Sequence, residues 1–212
     1  MIVNSHKLLV QAPIKGMLSE KVKQHGVSHG LSEAGYDIRI KQEIRFTHTG
    51  TKMHVWVGET RHKPVLHTTG KGEYGRFCIA SAIEEFDMPN DLVGIVHDKS
   101  TWARRGLSVF NTVIEPGWKG FLTLELVYHG HEDLIIPAGA GIAQVVFHST
   151  TNRASYTGKY QHQGDLPVSA KSSDDSNAPD RHRGGGGGTC PQCGEQQRTY
   201  PSGLVCKNGH GY

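Results

Sequence analysis

Two neighbouring stretches hold the residues with the greatest capacity for chemistry. The first, His97-Asp98-Lys99-Ser100-Thr101-Trp102-Ala103-Arg104-Arg105-Gly106, gathers hydroxyls and cations. Asp98 or Ser100 suits the cap of a short helix that follows a strand and stops at Gly106. The first amides of such a helix point outward without an internal partner. A phosphate placed there gains those amide bonds and the positive end of the helix dipole. Ser100 and Thr101 add hydroxyl donors, and Lys99 and Arg104 add charge. A guanidinium grips two phosphate oxygens at once, so the stretch suits a polyphosphate. An ordinary capped turn with a solvated basic face has the same composition.

The second stretch runs from Ile114-Glu115-Pro116-Gly117-Trp118-Lys119-Gly120 into Phe121-Leu122-Thr123-Leu124-Glu125-Leu126-Val127. Strand alternation puts Leu122, Leu124 and Leu126 on one face and Phe121, Thr123, Glu125 and Val127 on the other. Glu125 is then a carboxylate among apolar neighbours. Desolvation raises the pKa of such a group toward neutrality, which suits proton shuttling. An edge-strand glutamate facing water fits the alternation as well. Glu115, entering a Pro-Gly turn, suits a sugar hydroxyl, metal–phosphate chemistry or a plain turn.

A third constellation, Cys190-x2-Cys193-x12-Cys206-x3-His210, has metal-ligand spacing. Gly194 and Gly209 sit beside the two pairs and permit tight knuckles. Three thiolates and one imidazole suit a closed, tetrahedral, structural zinc site. So small a module has almost no core, and the metal would supply its folding energy. Thr189 precedes Cys190 where the zinc-dependent nucleobase deaminases require proline, so this is not their catalytic motif. The remaining cysteine, Cys78, lies in the apolar run Phe77-Cys78-Ile79-Ala80 and reads as core.

The elements that must position these groups are mostly strands. Tyr36–Ile40, Met53–Val57, Leu92–Val96, Leu122–Val127 and Ile142–Phe147 are short and apolar, and several alternate with period two. Only Ile14–Gln24 and the turn near Ser100–Arg105 look helical. The expected fold is a mainly β barrel, sandwich or jelly roll. The chain has 212 residues, of which 36% are hydrophobic, enough for one full domain and a small appendage. We expect a β domain over 1–170, a polar and Gly-rich linker over 171–188, and the zinc-ribbon-like module over 189–212. The net charge of +3 is too mild to argue for duplex DNA binding. No apolar run reaches membrane-spanning length, and residues 1–7 lack the order of a signal peptide. The expectation is a cytoplasmic protein, or one of the host-cell cytoplasm if viral, with no membrane contact.

The motifs together resemble those of the dCTP deaminase family of the dUTPase superfamily. Asp98 to Leu107 is similar to that family's (G)-(K/R)-S-S-x-(A/G)-R-x-G-L, Ile114 to Gly120 to I-D-P-G-(W/F)-x-G, and Thr123 to Leu126 to (T/V)-L-E-(L/F). Ala34 to Ile40, Met88 to Gly94, Pro137 to Gln144 and Lys159 to Gly164 continue the match in order. The resemblance implies a homotrimer of distorted jelly-roll or β-barrel subunits of the dUTPase type, with sites between neighbouring chains. It implies a deoxyribonucleoside triphosphate, dCTP or dUTP, that carries in Mg²⁺. Ser100, Thr101 and Arg104 would bind phosphates, with Lys99 adding charge. Glu125 would activate water for attack at cytosine C4, with Arg104 and Ser100 assisting. Glu115 would lie near the deoxyribose, Lys159 and Tyr160 would close over the phosphates, and Gln163 would read the pyrimidine. A glutamine amide offers both a donor and an acceptor for that task.

The chain departs from the family pattern in two places. The loop between Gly106 and Ile114 is shorter, and Glu115 stands where the family has Asp. The expected activity is hydrolytic deamination of dCTP to dUTP and ammonia, alone or followed by cleavage to dUMP. A dUTPase is the runner-up. Against it, Gly184 to Gly188 lack the Ser and Phe of the dUTPase motif, and that family has an apolar residue where Glu125 stands. A non-catalytic nucleotide-sensing regulator is a further alternative. The C-terminal module is expected to contact nucleic acid or protein. Metal analysis of the purified chain should return zinc held by Cys190, Cys193, Cys206 and His210. Cys190→Ser should release it; a metal-free tail that still folds cooperatively would overturn the assignment.

Overall fold

Period-two burial builds the main unit. The computed structural model describes residues 1–58 and 75–171, and the backbone of Gln197–Tyr200 and Gly203–Cys206. The chain divides into two compact units, Met1–Lys171 and Ser172–Tyr212. In chain order the first contains β1 (Ile2–Val3), α1 (Ser5–Gln11), β2 (Lys21–Gln24), β3 (Val27–Leu31), β4 (Gly35–Arg39), β5 (Ile44–Thr49) and β6 (Lys52–Val57). It continues with β7 (Phe77–Asp87), β8 (Leu92–Asp98), α2 (Ser100–Ala103), β9 (Leu107–Val109), β10 (Val113–Ile114), β11 (Lys119–Tyr128), β12 (Leu134–Ile136) and β13 (Gly141–Ser149). All five segments expected to be strands lie on β4, β6, β8, β11 and β13.

The largest sheet has the order β10-β8-β13-β4-β3-β2, with β1 also on β13. Two smaller sheets have the orders β7-β11-β9 and β12-β5-β6. Every pairing between these strands is antiparallel. The expectation of a mainly β domain therefore holds. A closed barrel does not form among the described residues, because each sheet ends in open edges: β2 is largely exposed and β10 has two residues. The inward faces share one core that includes Ile38, Phe46, Phe86, Leu124, Leu126 and Phe147, all 0–1% exposed. Cys78 belongs to it, and burial pushes its thiol up to about 12, which keeps it protonated and inert.

One helix falls elsewhere than its pattern suggests. Ile14–Gln24 is not helical; the helix is α1, which precedes it and ends at Ala12 in the left-handed region. Pro13 follows and has no N–H to continue it. Gly16, at φ +62, interrupts the next stretch. Ile14 then bridges to Phe86, and Lys21–Gln24 pairs along β3. Sheet pairing wins there over a weak helical period.

After β13 the chain returns as an arm without strands, residues 150–171, fastened along the start of β11. Tyr156 N donates to Pro116 O at 2.8 Å, and His162 N to Lys119 O at 2.9 Å. Phe121 N donates to Gln163 O at 3.0 Å, and the Trp118 indole N–H to Tyr160 O at 2.8 Å. Gly120 makes this approach possible. Its φ is +135, and a Cβ there would stand 2.6 Å from Gln163 O. In the second unit Gln197–Tyr200 (β14) pairs antiparallel with Gly203–Cys206 (β15). Apart from the backbone of Cys206, the proposed zinc ligands lie outside the described residues, as does the expected linker.

Gly120→Ala should lower stability by about 1–3 kcal/mol, the usual cost of a strained position. It should also expose the 150–171 arm to proteolysis. Denaturant unfolding and limited proteolysis measure the two effects; an arm cleaved no faster than in the wild type would contradict this account of Gly120.

Candidate active site

The face of β11 that carries Glu125 opens on a cavity of about 340 Å³. Its neighbours Leu122, Leu124 and Leu126 are buried in the core, so alternation leaves Thr123 and Glu125 on the open face. A bulge in the pairing with β7 sharpens this. Phe121 faces Glu85, but Thr123 faces Ser81, so β7 spends extra residues at that point. Such a bulge bends the strand and re-aims the side chains beside it. Phe77 and Ile79 of β7 wall the cavity on one side, and Ile114 and Trp118 on another.

Glu125 behaves as its apolar surroundings dictate. Its Oε2 is buried and has no hydrogen-bond partner. Burial raises its pKa above the ordinary carboxylate range, partly offset by its own backbone N–H. A carboxylate so placed takes a proton more readily than one in water, which is the property of a general base.

Glu115 reaches the same cavity from the turn before β11. Pro116 and Gly117 are its central residues, Gly117 has φ +74, and Trp118 N donates to Glu115 O at 3.1 Å. That is the sequence signature of a type II turn. Tyr160 and Gln163 of the arm complete the wall, with Ser169 and Ala170 beyond them. Lys159 does not line it. Its Nζ donates to Lys171 O at 2.6 Å and lies 5.2 Å from the Tyr160 ring centre. Sequence reasoning passed over two further lining residues. Thr123 was legible from the shared face with Glu125, whereas Tyr156 carried no pattern that marked it.

The hydroxyl- and cation-rich turn lies apart from this cavity. Ser100 and Thr101 are exposed on α2, and Arg104 borders a separate open depression with Arg105, Tyr128 and His131. Neither Asp98 nor Ser100 caps α2. Its N-cap is Lys99, without a side-chain cap bond, and Asp98 Oδ1 instead accepts from Val109 N at 2.6 Å. Trp102 anchors the turn, donating from its indole to Gly141 O at 2.6 Å. The Lys99 ammonium is committed inward. It donates to Asp37 Oδ2 and to Ser28 Oγ, with its side chain 12% exposed and that of Asp37 3%. Two of its three N–H donors are engaged there. Thus one chain brings together Glu115, Glu125, Tyr160 and Gln163, and does not bring Lys99, Ser100, Thr101 or Arg104 to them. Among the described residues no group of His, Cys, Asp and Glu forms a metal site.

The raised pKa of Glu125 has a sign for stability. Its contribution is fully present below the unfolded-state pKa and is lost as pH rises through the folded value. Glu125→Gln removes that loss. It should melt above the wild type at neutral pH, and the difference should shrink as pH falls toward about 4, the unfolded carboxylate range. Thermal melts across pH measure this; a difference independent of pH would contradict the desolvated carboxylate.

Residues 9–150 match the sequence pattern of the family described as dCTP deaminase-like. A dCTP deaminase of Roseiflexus castenholzii is 33% identical over 161 residues, covering 71% of this chain and 86% of that protein. The dCTP deaminase of Campylobacter fetus is 36% identical over 159 residues, covering 71% of this chain and 85% of that one. Among solved structures, a 2'-deoxycytidine 5'-triphosphate deaminase from Agrobacterium tumefaciens is similar at TM-score 0.45 and 16% identity, over 69% of this chain and 47% of that chain. The pattern match spans β2 to β13, including α2, the Glu-Pro-Gly turn and the strand of Glu125, and the chain belongs to the dCTP deaminase-like family.

Proposed function

We propose that the chain is a dCTP deaminase, which adds water at C4 of the cytosine and releases dUTP and ammonia. The observation that carries this reading is the buried, unpartnered carboxylate oxygen of Glu125 beside a cavity of about 340 Å³, large enough to admit a nucleobase. Glu125 takes a proton from water as the oxygen bonds to C4. It passes that proton to ring N3, the proton of the new C4 hydroxyl moves to the amino nitrogen, and the C4–N bond of the tetrahedral adduct breaks to expel ammonia as the C4 carbonyl forms. Gln163 contacts the base, Glu115 the deoxyribose, and Tyr160 with Lys159 the phosphate side.

Ser100, Thr101 and Arg104 supply the phosphate contacts, with Lys99 at the base of their turn. Arg104 and Ser100 also steady the reacting end. In this reading they do so from a neighbouring copy, and the working form is a homotrimer of distorted jelly-roll subunits with sites between chains. The separation of the turn from the cavity within one chain supports that arrangement. Mg²⁺ enters as part of the substrate, bound to the triphosphate. Zinc would be held by Cys190, Cys193, Cys206 and His210, a donor set that suits tetrahedral structural zinc. The module around it would contact nucleic acid or protein. Among the described residues no helix is long and apolar enough to cross a membrane, and the proposed location is the cytoplasm.

Purified protein given dCTP should yield dUTP and ammonia. Glu125→Gln should lower kcat by about 10²–10⁴, the usual worth of a general base, with nucleotide binding retained. Cleavage of dUTP to dUMP and pyrophosphate with dCTP untouched would replace this reading with a dUTPase. Binding without any product would replace it with a regulator. The shared site has its own test. Arg104→Ala and Glu125→Gln chains, each inactive, should recover up to about a quarter of wild-type activity when refolded together in equal amounts, because one neighbour pair in four unites the intact halves. No recovery in verified mixed assemblies would place both residues in one chain's site.

A further inference from the structure

The two ends of the Gln163 side-chain amide are not equivalent in this fold. One faces Phe121 O at 2.9 Å and Thr123 Oγ1 at 2.6 Å. A carbonyl oxygen only accepts, so the atom facing Phe121 O must be the donor, Nε2. Both Nε2 protons are then used, one on the carbonyl and one on the hydroxyl. Oε1 is left as the end of the amide available to a ligand, and it is an acceptor. Thr123 Oγ1 also accepts from Val168 N at 3.0 Å, which engages its second lone pair. Its own proton remains for an acceptor in the cavity that Thr123, Glu125 and Gln163 share. The unpartnered Oε2 of Glu125 adds a second free acceptor to that cavity.

We infer that Thr123 is a positioning residue that, with the Phe121 carbonyl, holds the Gln163 amide so that its oxygen meets the base, and that the cavity therefore takes the amino edge of a cytosine in preference to the carbonyl edge of a uracil. This rests on the reading that the cavity holds a pyrimidine. Cytosine presents N–H donors at C4 and an acceptor at N3. Those match an acceptor at Gln163 and a hydroxyl proton at Thr123. Uracil presents the reverse, an acceptor at C4 and a donor at N3, and would set its carbonyl oxygen against acceptors. A buried acceptor facing an acceptor is left unsatisfied, the kind of mismatch by which polar sites reject near-isosteres. The same mismatch favours release of the deaminated product.

Without the Thr123 hydroxyl, the second Nε2 proton loses its partner, the Phe121 carbonyl alone holds the amide, and the cavity loses the hydroxyl proton that would meet N3. The measurement is the ratio of dissociation constants for dUTP and dCTP, by calorimetric titration of the full-length protein in a Glu125→Ala background that halts turnover. We expect dUTP to bind more weakly than dCTP. Thr123→Val should contract the ratio about tenfold, the effect of one hydrogen bond to a buried group. Thr123→Ser, which keeps the hydroxyl, should preserve it within about twofold on the same scale. Adding Thr123→Val to Gln163→Met should change the ratio no further. Thr123→Ala serves in place of a Val variant that does not fold. A ratio near one before any change at Thr123 would overturn the inference. So would equal weakening of both nucleotides by Thr123→Val, since that would make Thr123 only a fastener of the arm through Val168. Wild-type protein that releases no ammonia from dCTP, with the ratio still contracting in Thr123→Val, would end the deaminase reading and leave this one standing.

Discussion

An acidic side chain held where water solvates it poorly, with one oxygen unpaired, is the constraint on which the site depends. Glu125 Oε2 is buried without a protein partner in a cavity whose walls include Phe77, Ile79, Ile114 and Trp118. A buried unpaired polar atom destabilises a fold. Its retention is understandable where the missing partner is a water or a substrate atom. The rest of the main unit serves to make that position affordable. The opposite face of β11 is sunk in the core through Leu122, Leu124 and Leu126, and the core stabilises what the carboxylate does not.

Placing the carboxylate takes three local devices that act within a few residues of one another. The type II turn at Pro116 and Gly117 sets the entry of β11 and brings Glu115 to the cavity. The absence of a side chain at Gly120 lets the arm approach, so that Gln163 pairs with β11 as a further strand would. The bulge against β7 then falls between Phe121 and Thr123, just before the part of β11 that carries Glu125. Each device constrains backbone, not side chain. A change at any of them would move several functional groups together.

Much of this was legible in the sequence, and the limits are physical. Alternation located β11 and the face of Glu125, because period two is a local property of the strand. The Pro-Gly turn was legible for the same reason. The α1 helix was not, since Ile14–Gln24 has helical spacing and only its pairing with β3 and Phe86 shows otherwise. Lys99 read as a free cation because its partner Asp37 lies 62 residues away on β4. The walls supplied by the arm, Tyr156 among them, depend on where a chain without regular structure returns, and no periodicity records that.

The buried Asp37–Lys99 pair alters how the basic turn should be understood. An ammonium bound to a carboxylate with 3% exposure is costly to free, because the carboxylate would be left unpaired. The pair therefore ties α2 to β4, while Gln144 of β13 donates from Nε2 to the other carboxylate oxygen at 3.2 Å. The Trp102 indole adds a second tie to β13. A four-residue helix has little stability of its own, and these anchors hold Ser100, Thr101 and Arg104 in a defined array. The exposed cations and hydroxyls are then presented outward on a rigid base, away from their own chain's cavity. The inward commitment of Lys99 and the outward display of Arg104 thus belong together: the turn is braced from within while its remaining cations and hydroxyls face solvent.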